Sequence, residues 1–233
     1  MAIGEERKSE PGWQWQALAL LVALAGVIGS VSLSLALGLK ACPLCFYQRS
    51  FAMGALAVLA VGWAANRHRP ALNCLLAFPL AVAGLAIASF HEYLVLADVL
   101  ECPLGLLEIG TAPAQSLALF LLLSALLATG VVVGYRQQAL SAPALILAVL
   151  LGLILAWASI ASAPPAPPVP KAPYDPVKQP LDMCRPPYRA ANGSSRDRNG
   201  EPASRLSRLH SLVASVICND LLEPGAALHR VMI

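Results

Sequence analysis

Charged residues are scarce in this chain of 233 residues. Lysine, arginine, aspartate and glutamate make up 12% of it, whereas hydrophobic residues make up 58%. A soluble domain has roughly 25% charged and 45–50% apolar residues. The apolar residues also run together in uncharged stretches, long enough for a helix of about 20 residues to cross a bilayer. The composition therefore excludes an ordinary soluble domain and predicts an all-α protein embedded in a lipid bilayer.

The low aromatic content and the small net charge argue against a nucleic-acid-binding function. Aromatic residues make up only 6% of the chain, and the net charge of +3 is spread along it. A nucleic-acid-binding protein usually gathers its basic residues into one patch with aromatic residues between them. We therefore expect no nucleic acid as a partner. We also expect no cleavable signal peptide, because the first apolar run is too long for one.

Five apolar stretches predict five membrane-spanning helices. Their approximate bounds are 16–39, 46–65, 71–90, 115–134 and 143–162. A proline-rich segment and then polar residues follow the last stretch, a composition typical of an irregular tail. The sequence thus predicts a transmembrane helical bundle over residues 1–162 and a largely disordered tail over residues 163–233.

Basic residues near the ends of the spans set the expected orientation. They precede the first span and occupy the two short turns, at Arg7, Lys8, Arg67, Arg69 and Arg136. The segment 91–114, by contrast, contains no lysine or arginine. The positive-inside rule therefore places the N-terminus and both short turns in the cytoplasm. Segment 91–114 and the tail then lie on the outer side of the membrane.

The sequence Cys42-Pro43-Leu44-Cys45 lies between the first and second spans. The expected orientation puts it outside together with Cys102, Cys184 and Cys218, in the compartment where disulfides persist. Cys74 falls near the cytoplasmic face, where a small buried hydrophobe is the simplest interpretation. A Cys-x-x-Cys at a helix start suits thiol–disulfide exchange, because the helix N-terminus lowers a thiol pKa. Cys45 is best placed for this effect.

Two polar residues lie at a similar depth in the membrane. Arg49 follows Cys45 by four residues, so both share one helix face. It is either an interfacial anchor or a cation that stabilises a thiolate or polarises a carbonyl oxygen of a bound acceptor, and we favour the second interpretation. His91 ends the third span on the same side. A lone histidine is more often an interfacial residue than a catalytic one. Because His91 lies at the same depth as Arg49, we nevertheless consider it a candidate functional residue.

Two other interpretations of the cysteines remain open. The Cys-x-x-Cys pair supplies half of a tetrahedral zinc site, and the remaining outer cysteines with His91 could complete it. No second close-spaced pair of cysteine or histidine exists, so we expect no metal. A structural disulfide is also possible, although so short a loop favours exchange. The alternative function is therefore a non-enzymatic membrane protein whose outer cysteines bind a soft metal or form a structural disulfide.

The eight residues from Cys42 to Arg49, Cys-Pro-Leu-Cys-Phe-Tyr-Gln-Arg, resemble the motif of the bacterial disulfide bond formation protein B (DsbB) family. The resemblance covers about residues 15–115, which include His91 and Cys102. It implies a four-helix core, to which this chain adds a fifth span. It also implies an enzyme of the bacterial inner membrane, a quinone-dependent protein-disulfide-forming oxidoreductase, with the motif and the tail in the periplasm.

The resemblance further implies a chain of exchanges. A periplasmic thiol oxidase similar to DsbA delivers electrons to an outer disulfide, which passes them to the Cys42–Cys45 pair. That pair reduces a membrane quinone, either ubiquinone or menaquinone, with Cys45 facing the ring and Arg49 and His91 beside it. The implied catalytic residues are Cys42, Cys45, Cys102 and Cys184, and the implied quinone-binding residues are Arg49 and His91.

The chain departs from the family pattern after Cys102. The usual four-helix form carries both cysteines of the exchange pair in one outer loop, whereas segment 91–114 contains only Cys102. The next outer cysteine is Cys184, beyond two more spans. We expect Cys184 to pair with Cys102, because residues 163–183 in extended form reach several tens of ångströms. Cys218 is the alternative partner.

Overall fold

Five long helices dominate the part of the chain that the structure, a computed structural model, describes. The described residues are 12–65, 69–106, 109–136, 141–164, 170, 172–175, 177 and 179–188. The helices are α1 (Trp13–Leu35), α2 (Pro43–Ala65), α3 (Pro70–Leu96), α4 (Ala112–Arg136) and α5 (Ala142–Ala161). Each is long and apolar enough to cross a membrane. The predicted fold class, an all-α transmembrane bundle with five spans, is confirmed.

Helix α3 lies at the centre of the bundle. It packs against α2, α4 and α5, while α1 packs against α2 and α4. The first four helices therefore form a ring in which each packs mainly on two neighbours, with a smaller contact between α1 and α3, and α5 packs on α3 outside this ring. This is the arrangement expected of a four-helix core with one added span.

Small residues allow the helices of this bundle to approach closely. Gly84 of α3 lies against the ring of Phe120 in α4, and a methyl group at Gly84 would overlap that ring. At the contact of α5 with α3, a methyl group on Gly152 would lie 2.7 Å from the carbonyl oxygen of Pro79. The helix contacts on both sides of α3 thus depend on residues without a side chain.

Two helix ends differ from the bounds expected from hydropathy. Helix α3 continues to Leu96 rather than ending at about residue 90, because a charged residue such as Glu92 ends an apolar run without breaking backbone hydrogen bonds. Helix α1 ends at Leu35 rather than at about residue 39. Gly38 then adopts a left-handed φ of 65°, a conformation that glycine accepts readily.

The alternating helices bring the end of α1, the start of α2, the end of α3, the start of α4 and the end of α5 to one end of the bundle. We call this the cysteine end, because Cys42, Cys45, Cys102 and Cys184 all lie there. Cys74 lies in the first turns of α3, towards the opposite end, and is fully buried. Cys218 and the rest of the tail after residue 188 lie outside the described residues.

We expect Gly84→Ala to destabilise the bundle and Gly54→Ala to be neutral or stabilising. The added methyl group at Gly84 meets Phe120, whose side chain is only 1% exposed, and overpacking of this kind costs about 1–3 kcal/mol. At Gly54 the nearest atom is a flexible leucine methyl carbon at 3.3 Å, and alanine is the better helix former. Thermal unfolding midpoints in detergent micelles measure both, and equal shifts would contradict the packing described for Gly84.

Candidate functional site

Sulfur atoms from distant parts of the sequence meet at the cysteine end. The Sγ atoms of Cys42, Cys45 and Cys184 and one ring nitrogen of His91 all lie within 4.8 Å of one another. We call these four groups the sulfur–imidazole cluster. Apolar residues enclose it, among them Ile87 of α3 and Ala156 of α5. The fold thus concentrates thiol chemistry at one partly water-shielded position.

Cys184 reaches this position through a disulfide with Cys102. The pairing expected for this chain is therefore present, and it joins residues 82 positions apart. Both cysteines are nearly buried, with Cys102 9% and Cys184 5% exposed. The disulfide links the loop between α3 and α4 to the segment that follows α5.

Residues 179–188, which we call the tail arm, also contact the rest of the protein at points other than the disulfide. Glu101 and Arg185 exchange two backbone hydrogen bonds, at 2.8 and 3.0 Å, and their side chains form an ion pair at 2.6 Å. Lys40 donates its backbone N–H to the carbonyl oxygen of Asp182 and pairs with the Asp182 carboxylate at 2.8 Å. The second ion pair is largely solvent-exposed and contributes little. The hydrogen bonds and the ion pair between Glu101 and Arg185 are therefore the main non-covalent interactions that keep the tail arm in place.

Arg185 has a further partner in Tyr174. Its guanidinium carbon lies 3.5 Å from the centre of the tyrosine ring, and the Tyr174 hydroxyl donates a hydrogen bond to the carbonyl oxygen of Pro186. A guanidinium over an aromatic face is an attractive arrangement. The segment that the sequence predicts as an irregular spacer thus includes residues that fix the arm beside Cys184.

Cys42 caps the start of α2. Its carbonyl oxygen accepts the backbone N–H of Phe46 at 2.9 Å, and its Sγ accepts the backbone N–H of Cys45 at 3.3 Å. Pro43 occupies the first helical position, where its missing N–H costs nothing. The sulfur that receives the N–H of the helix start is therefore that of Cys42 and not that of Cys45, which the sequence had favoured.

The thiol of Cys42 has a strongly lowered pKa. The side chain of Cys45 lies 2.9 Å away, sulfur to sulfur, and its hydrogen bond is the main reason that the pKa of Cys42 falls to about 5. His91 adds a smaller effect in the same direction, and burial opposes both. Cys42 is therefore a thiolate at neutral pH, the form that attacks disulfides.

His91 lies between the two cysteine pairs. It is completely buried, and its Nε2 lies 3.9 Å from the Sγ of Cys42 and 3.6 Å from the Sγ of Cys102. Its Nδ1 lies 3.4 Å from the amide nitrogen of Gln48, whose Oε1 accepts a hydrogen bond from the Ser116 hydroxyl at 2.8 Å. The imidazole thus contacts sulfur on one side and a polar chain on the other.

Arg49 points towards α1. Its Nε donates to the Ser30 hydroxyl at 2.8 Å, and its Nη2 donates to the Ser30 carbonyl oxygen and the Ser34 hydroxyl, both at 2.7 Å. The ion pairs found among the described residues lie elsewhere, at Lys40 and Arg185. Arg49 is therefore held inside the bundle with its charge not neutralised by any of these pairs, in contrast to an anchor that reaches out to the membrane surface.

A cavity of about 260 Å³ lies among α1, α2 and α4. Its wall is mostly apolar and includes Gly26, Leu119 and Phe120. The polar and sulfur-bearing groups that face it include Ser30, Cys45, Gln48, Arg49 and Cys184. A concave apolar site with a few polar groups is typical of a small-molecule site. The structure thus places Cys45 and Arg49 on one cavity, while Gln48 connects that cavity to His91.

Sequence reasoning missed four polar residues of this site. Gln48 and Ser116 orient His91, and Ser30 and Ser34 hold Arg49. One signal was available, because polar side chains within a membrane span usually face the interior of the bundle. The partner of each one depends on the rotation of neighbouring helices, which hydropathy does not report.

One comparison with known proteins gave a match. The family model described as disulfide bond formation protein DsbB matches residues 13–116. The matched range covers α1 to α3 and the beginning of α4, with the Cys42–Cys45 pair, Arg49, His91 and Cys102. Cys184 and α5 lie outside it. No curated protein and no solved structure matches the chain.

We expect alkylation of Cys42 to depend on pH unlike that of an ordinary thiol. Thiolate is the reactive form, so the rate should reach half its plateau near a pH of about 5 and stay constant above neutrality. Cys45→Ala removes the main hydrogen bond to the Cys42 sulfur. The pH midpoint of Cys42 alkylation should therefore rise towards the usual thiol pKa of about 8.5. Mass spectrometry of the Cys42 peptide after iodoacetamide treatment of reduced protein, in a chelator, follows both reactions.

Cys74→Ala is the matched control, because it removes a buried cysteine from the other end of the bundle. In this variant the pH midpoint of Cys42 alkylation should equal that of the unsubstituted protein. A midpoint of 8 or higher in the unsubstituted protein would contradict the hydrogen bonding assigned to Cys42.

Proposed function

We propose that this chain, of which residues 13–116 match the DsbB family model, is a membrane disulfide oxidoreductase that reoxidises a DsbA-like periplasmic thiol oxidase and passes the electrons to a membrane quinone. One observation carries the proposal. The sulfurs of Cys42, Cys45 and Cys184 lie within 4.8 Å of one another beside the cavity that Cys45 and Arg49 line.

The first step is exchange with the soluble donor. A donor thiolate attacks Cys102 and forms a mixed disulfide, while Cys184 leaves as a thiolate. We assign the leaving role to Cys184 because its sulfur belongs to the sulfur–imidazole cluster. The second donor thiol then attacks the mixed disulfide and releases Cys102. The donor loses two electrons as its disulfide forms.

The second step moves the electrons inward. The Cys184 thiolate attacks the oxidised Cys42–Cys45 pair at Cys42, and Cys102 then closes the bond with Cys184 and releases Cys42. The outcome is a Cys42–Cys45 dithiol next to a Cys102–Cys184 disulfide, which is the thiol state of this structure. His91 Nε2 lies near the sulfurs of Cys42 and Cys102, where it can donate to whichever is a thiolate.

The third step takes place at the cavity. When bound there, a quinone supplies a two-electron acceptor that also takes up two protons and leaves as a quinol. The cavity suits such a group because its wall is mostly apolar and carries the cationic side chains of Lys40 and Arg49. Cys45 faces the cavity as the electron-donating sulfur. Arg49 is fixed by Ser30 and Ser34 before any ligand arrives, so it can stabilise negative charge on a carbonyl oxygen without rearranging.

The proposed compartment follows from the charge distribution. Lysine and arginine near the span ends favour the end opposite the cysteine end for the cytoplasm. The cysteine end then faces the periplasm of a bacterial inner membrane, where a DsbA-like donor resides. The donor needs access to a disulfide that is at most 9% exposed at either cysteine, so docking requires some displacement of the tail arm.

Cys45→Ser should abolish quinone reduction by a reduced donor, since the cavity then lacks its electron-donating sulfur. Proteoliposomes with a reduced DsbA protein and a short-chain ubiquinone analogue provide the assay, read as loss of quinone absorbance. Cys74→Ser is the matched control and should retain full turnover. Turnover of Cys45→Ser above one tenth of the unsubstituted rate would refute the route through Cys45.

Arg49→Ala should lower kcat for quinone reduction by about 100-fold, the usual loss when one fixed donor to a developing anion is removed. Exchange between the reduced donor and the Cys102–Cys184 disulfide, measured without quinone, should continue at its normal rate. Arg49→Lys keeps the positive charge but loses the forked hydrogen bonds. Its kcat for quinone reduction should therefore lie between those of the unsubstituted protein and of Arg49→Ala. If exchange slowed while quinone reduction persisted, Arg49 would be a structural anchor.

A further inference from the structure

The sulfur–imidazole cluster has the size of a metal site. A tetrahedral zinc ion binds sulfur at about 2.3 Å and nitrogen at about 2.0–2.1 Å, which places neighbouring ligand atoms about 3.5–3.8 Å apart. The Sγ of Cys42 lies 3.9 Å from His91 Nε2 and 2.9 Å from the Sγ of Cys45, and the four groups span at most 4.8 Å. Shifts of about 1 Å would therefore bring all four to ligand distance.

The thiol state decides whether the site exists. Cys184 is bonded to Cys102 in this structure, and a metal binds thiolate rather than disulfide sulfur. A dithiol reductant supplies two electrons and two protons, breaks the S–S bond and frees the sulfur of Cys184, while its own sulfurs form a disulfide. The tail arm stays docked through Glu101 and Arg185, so the freed sulfur remains beside the cluster.

The surroundings of His91 match those of a metal-bound histidine. Such a ligand usually has a hydrogen-bond partner on its second ring nitrogen. Nδ1 of His91 lies 3.4 Å from the Gln48 amide, which Ser116 holds in turn, and Nε2 faces the sulfurs. A half turn of the Gln48 amide presents its oxygen to an Nδ1–H group. Gln48 would then fix the imidazole with Nε2 free for a metal.

The charge balance is also favourable. Three thiolates and one divalent ion leave a net charge of −1 in the cluster. Lys40 and Arg49 both line the cavity that Cys45 and Cys184 face, so two cations lie near this charge. Soft thiolate ligands with one imidazole select zinc over harder ions such as magnesium.

From these observations we propose that the fully reduced protein binds one Zn²⁺ through the sulfur–imidazole cluster. Binding releases up to three thiol protons and transfers no electrons. Since the metal occupies the sulfurs that exchange disulfides, zinc holds the protein reduced and stops exchange until the metal leaves. The site involves only thiols and an imidazole, so it does not depend on the proposed use of quinone.

Metal content of the full-length protein in detergent tests the site. After reduction with a phosphine and equilibration with zinc, we expect one tightly bound Zn²⁺ per chain, and none after oxidation of both cysteine pairs. Cys184→Ser should lose this ion, whereas Cys74→Ser and Cys218→Ser should keep it. Cys102→Ser should bind zinc once the Cys42–Cys45 pair alone is reduced, because Cys184 then has no disulfide partner. Gln48→Leu should weaken binding by about 10- to 100-fold.

Alkylation of the unsubstituted reduced protein provides a second measurement that needs no variant to fold. Zinc should protect Cys42, Cys45 and Cys184 while Cys102 remains reactive. Three results would each overturn the proposal. They are equal zinc content in reduced and oxidised protein, retention of zinc by Cys184→Ser with loss of zinc by Cys218→Ser, and full alkylation of Cys184 in the presence of zinc. The assays contain no quinone, so their failure leaves the proposed function standing.

Discussion

The bond between Cys102 and Cys184 is the constraint on which the site depends. Cys184 follows the last helix, and besides this bond the tail arm that carries it is held chiefly by the contacts of Glu101 with Arg185. Through the bond, a segment far along the chain delivers a third sulfur to the Cys42–Cys45 pair. The match to the DsbB family model ends at residue 116, so this third sulfur comes from outside the matched part.

The start of α2 shows how one local feature serves both fold and chemistry. A helix needs acceptors for its first N–H groups, and here the sulfur of Cys42 is one of them. The same N–H also helps to lower the pKa of Cys42, although the Cys45 side chain lowers it most. Pro43 strengthens the helix start without competing for the acceptor. The two cysteines thus differ in role because one lies before the helix and the other inside it.

Much of this architecture could be predicted from the sequence. Five spans followed from apolar runs, and the Cys102–Cys184 pairing followed from the family resemblance together with the missing second loop cysteine. The contacts of His91 with Gln48, and of Arg49 with Ser30, could not be predicted, since they depend on how α2 is rotated against its neighbours. The greater acidity of Cys42 was missed for a similar reason. It arises mainly from the side-chain hydrogen bond with Cys45, a sulfur–sulfur contact of 2.9 Å that a spacing of three residues allows but does not specify.

Because α5 lies outside the four-helix ring, the disulfide also affects how this helix is attached to the bundle. Helices α4 and α5 lie between Cys102 and Cys184 in the sequence, so the bond closes a covalent loop that contains both. Helix α5 packs chiefly on α3, and its Ala156 borders the sulfurs. When the bond opens, the covalent loop opens, and the contacts of Glu101 with Arg185 and the packing of α5 remain. The redox state of a single bond therefore decides whether the last helix is tied covalently to the loop between α3 and α4 or held by non-covalent contacts alone.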